Sequence, residues 1–295
     1  MKKLIFLLTL SSFNLMANTT NSLTLYFIPS PLGLDWSSPA KLAVSAAKNR
    51  LRFQSRFMGH VFVEIQCGDN IERTGMVGTN FDYLNQLLIE QRGLGVLYHS
   101  FAGGLEQSAD VKEEIKVLSQ EGERLNFVKF KLNEGQCARV VTYLKEYRGY
   151  NVGRYYGLAN RPLYAEGSGC SAFGASFLEV AGILDTEMTE AWSQTVLIPL
   201  KYAGPPLKTE GVSLWSLIMN AQSWASEKEV HKKLFFWSPD RMFEWVKGKV
   251  SKANVEKKFS VIAIGKSKGI EFDKSYLPAP TGPIWQQHLD KNLIK

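Results

Sequence analysis

Residues 60–77 contain the sequence pattern that most restricts the fold of this 295-residue chain. His60 to Gln66 are rich in β-branched and aromatic residues, Gly68-Asp69-Asn70 is typical of a turn, and Ile71 to Val77 follow as a second arm. This pattern predicts a β-hairpin. Helical spacing after Asn133 predicts that helices accompany the sheet, and 45% hydrophobic residues are enough for a sizeable core. We therefore expect an α+β fold with a small antiparallel sheet packed against helices.

Other segments show weaker strand or helix patterns. The predicted strands are Leu23 to Ile28, Val96 to Ser100, Arg124 to Leu132, Ser193 to Leu200 and Phe259 to Ile264. The predicted helices are Ser38 to about Arg50, Asn80 to Glu90, Asp110 to Gln120, Asn133 to about Arg148, Cys170 to about Leu184, Ser213 to Ser223, and one after Ser238. A long loop rich in tyrosine and glycine is expected from Gly149 to Gly169.

The first 17 residues resemble a secretory signal peptide, because a basic start is followed by a short apolar run that ends at Ala17. We therefore expect an exported protein, periplasmic or secreted, with no transmembrane span in the mature chain. We expect a main domain over residues 18–205 and a C-terminal α/β extension of unknown role over residues 206–295. The net charge of +7 is spread along the chain, which predicts no nucleic-acid partner.

Chemistry is indicated most clearly by Gly167-Ser168-Gly169-Cys170-Ser171, where small residues lead into an apolar helix. The first turn of a helix has unpaired N–H groups and the positive end of the helix dipole, and both favour a thiolate. Cys170 is therefore a candidate nucleophile. A buried cysteine at such a position is more often part of the packing, so catalysis and a structural role both stay open on this pattern alone.

A catalytic thiol needs a base, and the chain has four histidines. His60 is the preferred base, because it opens the hairpin and is held there by the sheet, and His99 is the reserve. If the turn has three residues, Glu72 lies on the His60 face, so Glu72 is the candidate for orienting the imidazole. Thr74 and Glu64 are the fallbacks for that role. A two-residue turn would instead bring Arg73 to this face.

The other two cysteines, Cys67 and Cys137, could form a disulfide in an oxidising compartment, which would leave Cys170 as the odd thiol. The sequence contains no paired spacing of His and Cys residues typical of a metal site, so we expect neither a metal nor a cofactor. Ser168 and Ser171 lie outside any Gly-x-Ser-x-Gly motif, which argues against a serine hydrolase.

The order of these parts resembles a known family. Gly59-His60-Val61-Phe62, Asn80-Phe81, Gly93-Leu94-Gly95 and Cys170-Ser171 together are similar to the circularly permuted branch of the NlpC-type papain-like superfamily, in which the histidine precedes the cysteine. This branch includes lecithin–retinol acyltransferase-like and YiiX-like proteins, and the closest resemblance is to the Lnb-type N-terminal periplasmic domain. The resemblance covers residues 55–185 and implies a permuted papain-like fold. The usual Asn-Cys pair of the family is Gly169-Cys170 in this chain.

The resemblance implies that Cys170 is the nucleophile, that His60 is the base and that Glu72 is the third polar residue. It predicts a thiol acyl hydrolase or acyltransferase acting on a lipid, a lipoprotein or a peptidoglycan-derived substrate. The candidate substrate-binding residues are Gly169, Ser171, Tyr155 and Tyr156. Two alternatives stay open, namely a cell-wall peptide amidase that uses the same Cys-His pair and a non-catalytic envelope binding protein.

Overall fold

The structure is a computed structural model that describes residues 21–53, 55–79, 86, 88–253, 255–256 and 258–286. The strands in this part of the chain are β1 (Ser22–Ile28), β2 (His60–Cys67), β3 (Asn70–Gly78), β4 (Phe101–Leu105), β5 (Asn126–Lys131), β6 (Tyr155–Tyr156), β7 (Ser193–Pro199), β8 (His231–Trp237), β9 (Ser260–Ile264) and β10 (Ser267–Asp273). The α-helices are α1 (Pro39–Arg52), α2 (Ser108–Glu121), α3 (Glu134–Gly149), α4 (Cys170–Ala181), α5 (Thr186–Trp192), α6 (Leu214–Asn220) and α7 (Pro239–Lys252).

Eight strands form one mixed sheet in the order β6-β4-β3-β2-β1-β5-β10-β9, while β7 and β8 pair separately. All neighbours in the large sheet are antiparallel except β5 and β10, which are parallel. The fold is therefore α+β, as predicted. The prediction of a small antiparallel sheet is wrong, because β9 and β10 from the C-terminal part of the chain extend the sheet beyond β5.

Helices cover both faces of the large sheet. On one face, the apolar residues of β1, β2 and β5 pack against α3, α4, α5 and α7 in the largest core cluster, where Tyr143, Phe173 and Trp192 are fully buried. On the other face, Phe62 and Phe127 pack against α2. Because β-strand side chains alternate between faces, neighbouring residues such as Val61 and Phe62 belong to different clusters.

A separate apolar cluster joins α1, α6, the β7–β8 pair and the 3₁₀ segment Leu94–Tyr98. It contains Leu42, Leu217, Leu234 and Phe236. β7 lies before and β8 after the boundary expected near residue 205, and the two strands pair along their whole length. Residues on the two sides of that boundary therefore share both sheets of the fold.

The hairpin of β2 and β3 is confirmed, and of the two turn lengths that its sequence left open, the two-residue turn is the one present. Cys67 pairs with Asn70, so the turn contains only Gly68 and Asp69, and Gly68 has a φ of +60°. Two-residue turns of this kind favour glycine because they need a positive φ. The shorter turn places Arg73 opposite Glu64, and these two side chains form an ion pair of 2.6 Å.

One predicted strand differs from the structure, and some observed strands were not predicted. The strand expected from Val96 to Ser100 is instead a 3₁₀ segment, which β4 follows. β4 contains two glycines, which are not typical of a strand, so its sequence did not predict one. Gly103 in β4 is needed because a Cβ there would lie 2.6 Å from the Gly153 carbonyl oxygen. β8 and β10 had no predicted counterpart. The predicted signal peptide and Asn80-Phe81 lie outside the described residues. Among the helices in the described residues, none is long and apolar enough to cross a membrane.

Candidate active site

Cys170 is the first residue of α4, as predicted, and its side chain is buried next to the large sheet. The close approach of α4 to β2 depends on Gly174, where a Cβ would lie 2.8 Å from Val61. The preceding loop is fixed by a hydrogen bond of 2.9 Å between the Tyr147 and Ser168 hydroxyls, both of which are buried. The sequence therefore builds a rigid junction that holds the thiol at the helix N-terminus.

His60 is the first residue of β2, and only 3% of its side chain is exposed. Gly59 precedes it with a φ of +76°, in a turn so tight that a Cβ there would lie 2.8 Å from the Ile28 carbonyl oxygen. The imidazole interacts with the Cys170 thiol through charge and a hydrogen bond. The structure therefore brings the predicted cysteine and histidine together, although 110 positions separate them in the chain.

Glu106 is the acidic partner of His60. Its Oε2 lies 2.7 Å from Nε2 of the imidazole, which leaves Nδ1 as the ring nitrogen available to Cys170. Two main-chain contacts to β3 hold Glu106 just after β4: its N–H donates to the Gly75 carbonyl at 3.0 Å, and its carbonyl accepts from the Thr74 hydroxyl at 3.1 Å. Thr74, a fallback for the third polar group, thus acts on the backbone of Glu106.

Gly75 makes room for this hydrogen bond. A Cβ at this position would collide with Oε2 of Glu106 and would lie 3.0 Å from Nε2 of His60. Sequence reasoning missed Glu106, because no local motif distinguishes it among the 28 acidic residues. The signal that could have found it is the pairing of β3 with β4, which depends on tertiary contacts.

Glu72 does not orient His60, so that prediction is wrong. It lies near the turn end of the hairpin, where its carboxylate forms an ion pair of 2.6 Å with Arg148 at the surface. The physical reason is the two-residue turn, which pairs Glu72 with Ile65 rather than with Gln66. Glu64, another fallback, is bound to Arg73.

Tyr156 provides a hydroxyl at the thiol. The long loop before Cys170 contains the short strand β6, which pairs with β4 and sets Tyr156 opposite Phe101. The Tyr156 hydroxyl donates to Sγ of Cys170 at 3.8 Å, and it also contacts the main-chain N–H of that residue. Oγ of Ser171 lies 3.8 Å from the same sulfur. Three polar groups therefore surround the sulfur atom, namely the imidazole and two hydroxyls.

Burial and charge act in opposite directions on the Cys–His pair. Burial raises the pKa of Cys170, but the positive charge of His60 and hydrogen bonds from His60, Ser171 and Tyr156 lower it to about 7. Burial and the charge of Arg56 lower the pKa of His60, but the Cys170 thiolate and hydrogen bonds to Cys170 and Glu106 raise it above its ordinary value. A thiolate and an imidazolium thus stabilise each other in a buried site.

Glu106 stays ionised in this site. Burial raises the pKa of its carboxyl group, but His60 and Arg56 outweigh burial and bring the pKa down to about 2. Tyr156 stays protonated, because burial and the neighbouring Cys170 hold its pKa well above the usual range. At neutral pH Glu106 is therefore a carboxylate acceptor for the imidazolium, and the Tyr156 hydroxyl is a donor for the sulfur.

A cavity of about 320 Å³ opens beside the thiol, and Gly169, Cys170, Ser171 and Tyr156 line it together with His60. The rest of its wall is mostly apolar and includes Trp36, Phe57, Met58, Leu97, Phe236 and Trp237.

Within the described residues, no acidic and no lysine side chain lines this cavity. Tyr155, a predicted substrate-binding residue, is half-exposed outside it and lies under the guanidinium of Arg154. His99, the reserve base, lies outside the cavity as well and packs edge-on against Phe101.

In the part of the chain that the structure describes, no three His, Cys, Asp or Glu side chains form a group that could hold a metal ion. Comparison of the chain with protein-family models, with curated proteins and with solved structures gives no match. The assignment of a function therefore depends on the residues and geometry of this site.

Proposed function

We propose that this protein is an exported thiol-dependent acyl hydrolase or acyltransferase that acts on an ester or amide of a lipid, lipoprotein or cell-envelope substrate. The observation that supports this most is the chain of contacts from Cys170 through His60 to Glu106 at the wall of an apolar cavity. We also propose that the fold is the permuted papain-like (NlpC-type) fold, since the histidine strand precedes the cysteine helix and the two meet at one site.

The proposed reaction begins with transfer of the thiol proton of Cys170 to Nδ1 of His60. The thiolate attacks the carbonyl carbon of the substrate, and the carbonyl oxygen becomes an oxyanion. When the tetrahedral intermediate collapses, the imidazolium gives its proton to the leaving alcohol or amine, and a Cys170 thioester remains. Water or an amine then attacks the thioester carbonyl, and His60 takes a proton from that nucleophile. The bond between carbon and sulfur breaks, the acyl group leaves as an acid or an amide, and the imidazolium returns its proton to the Cys170 sulfur.

The oxyanion needs hydrogen-bond donors close to the sulfur. The main-chain N–H of Cys170 is one, because a first-turn N–H of α4 has no partner within the helix. The Tyr156 hydroxyl is the second, because it is protonated and contacts both the sulfur and that N–H. Glu106 keeps the imidazole oriented and stabilises its positive charge, as the acidic member of other nucleophile–histidine systems does.

The cavity wall favours an acyl chain over a cell-wall peptide. Trp36, Phe57 and Phe236 offer apolar surface, and apolar surface contributes about 25 cal/mol per Å² when a ligand buries it. A peptide amidase would need partners for the carboxylates and amines of its substrate. Among the described residues, Arg56 and His60 are the cationic side chains on the wall, and both are already bound to Glu106.

Export is supported by the disulfide between Cys67 and Cys137. Disulfides persist in oxidising compartments such as the periplasm and the cell exterior, and they are rare in the cytosol. The bond joins the end of β2 to α3, away from the thiol of Cys170, which remains unoxidised.

The proposal is tested by incubating the purified protein with p-nitrophenyl esters of acetate and of a long-chain fatty acid, and in parallel with muropeptides. We expect hydrolysis of the long-chain ester at the lower KM and an acyl adduct on Cys170 in the intact mass. Met58→Ala should raise KM for the long-chain ester more than for acetate, because Met58 lines the cavity. Met219→Ala is the matched control at an exposed methionine outside the cavity.

The other outcomes separate the alternatives. Cleavage of muropeptides without ester hydrolysis would indicate the amidase. Saturable binding of lipid with no adduct on Cys170 and no turnover would indicate a non-catalytic binding protein and would overturn the proposal.

A further inference from the structure

Arg56 joins two carboxylates behind His60. Its guanidinium contacts Oε1 of Glu106, whose other oxygen binds His60, and it holds Glu114 of α2 with two bonds of 3.0 and 2.8 Å. Each carboxylate oxygen of Glu106 therefore has one partner. Because Arg56 holds one oxygen and His60 the other, the carboxylate cannot rotate without breaking these bonds. The contact to Arg56 therefore fixes the contact to His60.

The surroundings of Arg56 keep this geometry rigid. Its backbone has a φ of +54°, a left-handed conformation that costs a non-glycine residue of order 1 kcal/mol or more and persists only where the surroundings enforce it. The guanidinium also stacks 5.1 Å above the ring of Phe62, which in turn packs edge-on at 4.7 Å from the imidazole. An apolar ring thus shields the ion pairs from water on the side of His60.

Two effects of Arg56 on His60 have opposite signs. As a bare positive charge, Arg56 disfavours the imidazolium, and together with burial it lowers the pKa of His60. As an anchor, Arg56 keeps Glu106 ionised and in contact with Nε2, which favours the imidazolium. Among the described residues, Cys170 also acts on the imidazole, from the side of the thiol, where the Tyr156 hydroxyl contacts the same sulfur.

We propose that Arg56 is a positioning residue: anchored by Glu114, it holds one oxygen of Glu106 so that the other oxygen stays fixed on Nε2 of His60. The role rests on the proposed function, because it matters only if His60 serves as the base for Cys170. The proposal gives a function to the charged side chains of Arg56, Glu106 and Glu114, which lie between the turn before β2 and the surface of α2.

The test measures the pKa of His60 by proton NMR in a Cys170→Ala background, where the imidazole titrates without the thiol. Glu106→Gln should lower this pKa by about one pH unit, because the imidazolium loses its negative partner. Arg56→Lys keeps the charge but lacks the planar fork that can hold two carboxylates. We therefore expect Arg56→Lys to lower the pKa in the same direction, by about half a pH unit.

Glu114→Gln removes the outer anchor at a half-exposed position and should give a smaller fall of the same sign, so it serves as the test if Arg56→Lys does not fold. Arg148→Lys, in the surface ion pair with Glu72, is the control and should leave the pKa unchanged. If the pKa of His60 stays constant or rises in Arg56→Lys and Glu114→Gln, Arg56 acts only as a charge and the proposal is wrong.

A second measurement, the pH dependence of iodoacetamide labelling of Cys170 in the otherwise unmodified chain, distinguishes failure of this proposal from failure of the proposed function. An activated thiol together with an unresponsive His60 would overturn only the role of Arg56. A thiol that reacts like an ordinary cysteine, with a pKa of about 8.5, would overturn the proposed function itself.

Discussion

A glutamate forms an ion pair near each end of the β2–β3 hairpin, but the two ion pairs differ in burial. At the turn end, Glu72 pairs with Arg148, and the two side chains are 42% and 43% exposed. At the open end, Glu106 binds His60 and Arg56 with only 13% of its side chain exposed. The pKa of Glu106 falls to about 2 at the buried end, where charges interact through a medium of low polarity.

The difference lies in what each end can do to a neighbouring group. An exposed ion pair is screened by water and contributes between about 0 and 1 kcal/mol. A buried carboxylate that touches an imidazole changes the proton affinity of that imidazole, and through it that of the thiol. The turn end is instead stabilised by the covalent bond between Cys67 and Cys137. The turn end therefore contributes stability, whereas the open end provides the chemistry.

The largest effect should come from Cys170→Ala at the open end. Removal of the nucleophile should reduce turnover of an acyl ester on the order of 10⁶-fold, while thermal unfolding changes little because a small apolar residue replaces a buried thiol. Steady-state kinetics and calorimetry check the two parts. Full residual turnover in this variant would exclude the acyl-enzyme.

At the turn end, the double variant Cys67→Ser, Cys137→Ser should lower the free energy of unfolding by about 4 kcal/mol. The bond closes a loop over a sequence separation of 70 residues, and opening it increases the entropy of the unfolded chain. Urea denaturation measures the loss. Cys170 labelling at low denaturant should stay as in the parent, and a changed Cys170 reactivity would show that the two ends are coupled.

Exchanging a single carboxylate for an amide compares the two ends directly. Glu106→Gln should lower kcat by a factor between about 10² and 10⁴, because the imidazolium loses its charged partner and its tautomer is no longer fixed. Glu72→Gln should leave kcat within twofold and change stability by about 0.5 kcal/mol or less. Equal effects of the two substitutions on kcat would contradict the assignment of Glu106.

A smaller loss of kcat than in Glu106→Gln should come from Gly75→Ala, which adds one methyl group beside the bond between His60 and Glu106. The methyl group must displace the carboxylate or the imidazole, so kcat should fall about tenfold. Gly149→Ala is the matched control, since a Cβ there meets open space. Comparison of kcat and of the unfolding temperature for both variants distinguishes a shifted hydrogen bond from general destabilisation.

The sequence predicted the elements whose signals are local. The helix expected at Asn133 is present, and the structure adds reciprocal bonds between Asn133 and Gln136 at its start. The helix beginning at Cys170 follows its glycines, as expected. The contact between Cys170 and His60 could also be predicted from the sequence, because the start of a helix and the start of a strand each limit where a side chain can lie.

Other features depend on contacts between distant segments and have no local signal. The sequence did not distinguish a two-residue turn from a three-residue turn, and the two-residue turn places Glu72 at the surface. β10 joins β5 in parallel through residues that include Lys268 and Gly269, which do not form a strand pattern. Glu106 follows a strand with two glycines, and its role arises only when β4 pairs with β3.

Site-resolved iodoacetamide labelling across a pH series is the direct test of whether His60 activates the thiol of Cys170. In the unmodified chain the labelling rate should rise with pH through a midpoint of about 7, as the thiolate forms. In His60→Ala the midpoint should move up to at least about 8.5, because burial persists while the positive neighbour is lost. A midpoint of about 8.5 in both proteins, or labelling only after unfolding, would contradict activation of the thiol by His60.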